Sequence, residues 1–88
     1  PYSAVKMNHT QVLTKAISAL DDEPGERDFA SMYVAIDTSR LPELKAWIKE
    51  FRDKFCLRAG TGGDKDAVYC LATQFFQLTS PDGARRSR

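Results

Sequence analysis

No apolar run in this 88-residue chain approaches the roughly 18 residues that would cross a membrane. The opening "PYSAVKMNHT" has no apolar stretch of the kind a signal peptide needs. A chain that starts at Pro1 rather than Met fits a piece of a longer protein, and hence a module. Only two cysteines are present, Cys56 and Cys70, far apart and each inside an apolar segment. A secreted disulfide scaffold carries more, so both read as buried free thiols and the compartment as a reducing cytoplasm. Charge of one sign is also missing. The net charge is +1. Arg85, Arg86 and Arg88 of the closing "ARRSR" supply three positive charges, so the rest is about −2. That body carries no basic footprint for nucleic acid.

Chemistry-bearing residues are equally sparse. His9 is the only histidine, and it falls on the apolar stripe of a helical segment, where a partly buried, hydrogen-bonded ring is expected. A Cys–His nucleophile pair needs the fold to bring His9 to Cys56 or Cys70, and nothing local does so. Two Cys and one His could supply three zinc ligands, but C-x-x-C and H-x₃-H spacings are absent. "DDEPGERD" reads as a solvated turn, and no carboxylate pair stands out for acid–base work. No serine lies in a G-x-S-x-G context. "RAGTGGDKDA" holds three glycines but follows a helix and precedes a strand pattern, the wrong context for a phosphate loop. It reads as a connector. The chain is therefore read as non-enzymatic, with no catalytic residue, metal or cofactor.

What is there is pattern. The chain is 42% hydrophobic and 28% charged, ordinary for one small globular domain. Residues 3–20 lack Gly and Pro, and Val5, His9, Val12, Ala16 and Leu20 recur at steps of three and four, predicting a helix. Pro24–Gly25 ends it. "FASMYVAID", residues 29–37, alternates and predicts a strand. Residues 38–57 predict a second helix, capped by Thr38 or Ser39, with Pro42 in its first turn. Its stripe is Leu41, Leu44, Ile48, Phe51 and Phe55, widened by Trp47, which should be largely buried. Glu50 precedes Lys54 by four, the favourable order for a helical ion pair. "VYCLATQFFQLT", residues 68–79, predicts a second strand with large apolar groups on both faces.

The expected fold is thus α+β, in the order α-β-α-β, with a parallel strand–helix–strand unit. One domain spans residues 1–79, and residues 80–88 form a flexible basic tail. Two strands make a poor sheet with open edges, so the expectation is a homodimer that extends it. Tyr69, Ala72, Phe76 and Leu78 are the interface candidates. Aromatics such as Tyr33, Tyr69, Phe75 and Phe76 could also stack single-stranded bases, but that use needs a basic surface which this body lacks.

Four segments in order carry a resemblance: "NHTQVLTKA", "ERDFASMYVAID", "LPELKAWIKEFRDK" and "VYCLATQFFQLT". Over about residues 3–79 the chain resembles the C-terminal domain of a bacterial family whose members look like helix-turn-helix or winged-helix transcriptional regulators. Two positions depart from that pattern: Gln77 stands in place of a proline and Thr73 in place of an aliphatic residue. The resemblance implies a regulatory or dimerisation module, with DNA reached only through an N-terminal region of the parent. It also matches His9, Arg27, Arg52, Tyr69 and Gln74 to polar positions of the pattern. These could shape a site for a small ligand, a nucleotide or a partner, or could be structural hydrogen bonds. A ligand-sensing module is the alternative to the oligomerisation module.

Overall fold

The computed structural model describes residues 2–79, which form two helices joined and followed by non-helical chain. α1 spans Tyr2–Ala19 and α2 spans Leu41–Ala59. Single 3₁₀ turns lie at Pro24–Glu26 and Thr38–Arg40. The basic tail expected at residues 80–88 lies outside the described residues.

α1 forms where Gly and Pro are absent. Its threonines turn inward on their own backbone: Thr10 Oγ1 donates to the Lys6 carbonyl at 3.0 Å and Thr14 Oγ1 to the Thr10 carbonyl at 2.9 Å. The helix tightens as it ends, with Leu20, Asp21 and Asp22 amides bonded to carbonyls three residues back. Pro24 then prevents continuation. No basic residue occupies the last turn, and Asp21 and Asp22 follow at once, against the helix dipole.

α2 is better matched to its own dipole, with Glu43 in the first turn and Arg58 in the last. Three exposed ion pairs run along it: Arg40–Glu43 at 3.0 Å, Lys49–Asp53 at 2.7 Å and the expected Glu50–Lys54 at 3.1 Å. Each contributes only a few tenths of a kcal/mol, ~0.3–0.5. Gly60 closes the helix, its amide donating to the Cys56 carbonyl at 3.0 Å. Gly62 and Gly63 take positive φ, 78° and 68°, which turns the connector away from the helix.

The start of α2 differs from expectation. Neither Thr38 nor Ser39 caps it. Asp37 caps the preceding 3₁₀ turn instead, accepting from the Ser39 amide at 2.9 Å and the Ser39 hydroxyl at 2.7 Å. The hydroxyl bond and then the amide bond hold the Asp37 carboxyl below the usual aspartate range. A depressed carboxylate stabilises the folded state above its unfolded pKa, and that contribution fades as pH falls through the folded pKa. The Ser39 amide resonance should therefore titrate with a midpoint below that of a free aspartate, and Asp37→Asn should flatten the curve. A midpoint at the ordinary aspartate value would mean that these bonds do not persist in solution.

The α+β expectation is overturned. Among the described residues there is no strand and no sheet, only an isolated bridge at Thr79. Residues 27–37 and 64–78 run without a ladder, so there is no parallel strand–helix–strand unit and no small sheet for a dimer to extend. Alternation marks a segment able to lie half-buried, but a strand exists only when another backbone supplies its hydrogen bonds. The loop closure that would join two strands across α2 is not recovered by so short a ladder.

The core is missing as well. No described residue is buried, and no Cα of α1 lies within 8 Å of a Cα of α2; Val12, Ala16, Ala19, Leu44 and Ile48 are half-buried. The radius of gyration is 16.1 Å, against about 12 Å for a compact chain of this length. The accessible surface is 8764 Å², against about 5,200 Å² for a compact monomer. Several burial expectations fall with it. Trp47 is 62% exposed. Cys56 and Cys70 are exposed free thiols. His9 is exposed and its ring makes no hydrogen bond to any described residue. A helical stripe says which face can be buried; burial itself needs a second surface, which this chain supplies only in part, leaving Val12, Ala16, Leu44 and Ile48 half-buried.

Candidate functional site

A shallow, open surface groove lies along the C-terminal half of α2. Phe51, Lys54, Phe55 and Arg58 recur at helical spacing on one face, with Leu57 and Thr61 beside them. Together they line an open groove of about 680 Å³. Its floor is aromatic: the Phe51 and Phe55 rings sit 6.0 Å apart, tilted by 46°. Thr61 closes one end by donating from Oγ1 to the Leu57 carbonyl at 2.7 Å. Two cations border the floor. Lys54 is shared with Glu50, while Arg58 has no ion pair among the described residues. An apolar floor with a cationic border can hold apolar side chains that carry acidic neighbours.

A second cluster gathers at the turn after α1. Arg27 Nε donates to the Asp22 carbonyl at 3.1 Å, and its guanidinium lies 5.5 Å from the centre of the Phe29 ring. Tyr69 reaches across from the non-helical segment after α2, its hydroxyl donating to the Glu26 carbonyl at 2.9 Å. This bond ties residues 64–78 to the turn.

The polar residues singled out by resemblance divide accordingly. Arg27 and Tyr69 meet at this turn, both in structural hydrogen bonds to backbone carbonyls. His9, Arg52 and Gln74 are exposed, and no hydrogen bond, ion pair or ring contact joins them to that pair among the described residues. The five do not form one site. The interface candidates Tyr69, Ala72, Phe76 and Leu78 are all solvent-exposed, Phe76 to 65%.

The groove was missed because Phe51 and Phe55 read as core. Its signal was the interleaving of Lys54 and Arg58 at steps of three with those phenylalanines, on the same face rather than opposite it. No group of three or more His, Cys, Asp or Glu side chains able to hold a metal gathers among the described residues. No helix among them is long and apolar enough to cross a membrane.

A family described as a domain of unknown function, DUF4423, matches residues 1–78. No curated protein and no solved structure matches the chain.

Proposed function

Because the chain belongs to the DUF4423 family, we propose that it acts as a self-association module of a bacterial transcriptional regulator. It is non-enzymatic, works in the cytoplasm, and forms a homodimer. DNA is read by a part of the regulator other than these residues. One observation carries the reading: no described residue is buried, and Leu13, Ile17, Trp47, Phe51 and Phe55 of the two helices stand exposed, with only Val12, Ala16, Ala19, Leu44 and Ile48 half-buried. A water-exposed surface of this apolar character is costly to leave open and marks an interaction face. The slightly acidic body argues against direct DNA binding, and dimers suit regulators because a two-fold protein mirrors a palindromic operator.

The test is sedimentation velocity at micromolar concentration, with an electrophoretic DNA-binding assay beside it. The chain should sediment as a dimer and should show no sequence-specific duplex binding. Any weak binding should come from Arg85, Arg86 and Arg88 and fade steeply with salt. Phe76→Glu should weaken the dimer if residues 68–78 lie in the contact. A monomer at every concentration overturns the proposal, as does specific DNA binding that survives removal of the last five residues.

A further inference from the structure

We infer that the C-terminal end of α1 from one copy docks into the α2 groove of a second copy, with Asp21 and Asp22 meeting Lys54 and Arg58. The inference rests on the self-association reading and names the surfaces that would carry it.

The two surfaces complement each other in kind. The groove offers Phe51, Phe55 and Leu57 beside Lys54 and Arg58. The end of α1 offers Leu13, Ile17 and Leu20, all exposed and spaced by four and three, followed directly by Asp21 and Asp22. An apolar row that runs into acid thus faces an apolar floor bordered by base.

Electrostatics on each side is incomplete. Asp21 and Asp22 stand at the negative end of the α1 dipole with no basic residue in the last turn, and neither forms an ion pair among the described residues. Arg58 is likewise unpaired among them. Lys54 has only Glu50, one turn away on the same exposed helix face, an interaction weak enough to exchange. Lys54 and Arg58 from a partner would supply the cations that the end of α1 lacks.

Area argues for a second copy as the occupant. The surface exceeds the compact value by roughly 3,500 Å². A standard interface removes only about 800 Å² from each partner, and obligate dimers remove more. Within one chain no Cα of α1 comes within 8 Å of a Cα of α2. In a two-fold dimer the same contact occurs twice, so a modest patch counts double.

The test uses two variants of the full chain, Lys54→Glu/Arg58→Glu and Asp21→Lys/Asp22→Lys. Each alone sets like charges against each other and should self-associate at least about a hundredfold more weakly than the native chain in sedimentation velocity. An equimolar mixture should restore the dimer, because each reversed groove then meets a reversed helix end. Asp21→Lys/Asp22→Lys should also raise the helix signal of the monomer, since lysine suits a helix C-terminus. A weaker dimer from a more helical chain cannot be blamed on misfolding.

The inference is overturned if either variant dimerises like the native chain, since self-association would then use another surface. A mixture that stays monomeric also overturns it. A native chain that is monomeric throughout removes the self-association reading itself.

Discussion

Diluting this protein should melt it. α1 has 18 residues and α2 has 19. Isolated helices of about this length are marginal in water, and most helical stability comes from packing an apolar face. Here no residue of that face is fully buried within the chain. If a second copy packs it, folding and association become one equilibrium, and apparent stability rises with concentration by mass action. A tenfold dilution removes about 1.4 kcal/mol. For a domain of this size that lowers the melting temperature by roughly 5–10 °C. Circular dichroism at 222 nm should show this as a loss of more than about half the helix signal between ~100 μM and ~0.1 μM. A helix signal and a melting temperature that ignore concentration would show that the monomer is stable by itself, and that its open faces are not joined in solution.

Phe51→Ala should act on association and barely on the monomer. Read from the stripe alone, Phe51 is a core residue, and truncating it would cost roughly 3–5 kcal/mol. In the structure it is 56% exposed, its neighbour on the groove floor being Phe55. Losing that ring contact costs the monomer about 1 kcal/mol or less. The exposed part of the ring is on the order of 100 Å², worth about 2.5 kcal/mol once covered. Two-fold symmetry doubles the loss, so the dimer dissociation constant should rise by a factor on the order of 10³. Sedimentation across a dilution series measures that change, and the 222 nm helix signal of the dissociated chain, compared with the native chain at the same dilution, measures the other. A dissociated variant that loses most of the native chain's helix signal would return Phe51 to an intrachain core and remove the groove as a contact.

The two helices were legible because their determinants are local. The Gly- and Pro-free interior over residues 3–20 and the stop at Pro24 predict a helix that is found at Tyr2–Ala19. Pro42 and the stripe through Phe55 predict the second, found at Leu41–Ala59. The Glu50–Lys54 pair followed from spacing alone. Helical hydrogen bonds close within four residues, so sequence neighbours suffice to specify them.

Strands, burial and the site were not legible in the same way. The alternation of Met32, Val34 and Ile36 says that this segment could present one face to a core, and nothing about where a partner backbone would stand. His9, Trp47, Cys56 and Cys70 were expected to be buried because they lie in apolar segments, and all are exposed. Arg27 and Tyr69, 42 positions apart in sequence, come to the same turn only through the bond from Tyr69 to the Glu26 carbonyl. By itself the sequence determined the two helices, their ends and their apolar stripes, because each rests on bonds within one turn of chain. Only the tertiary structure decided that no sheet forms among the described residues, that no stripe residue is fully buried and that Phe51 and Phe55 line a groove, because each depends on whether a distant surface arrives to meet them.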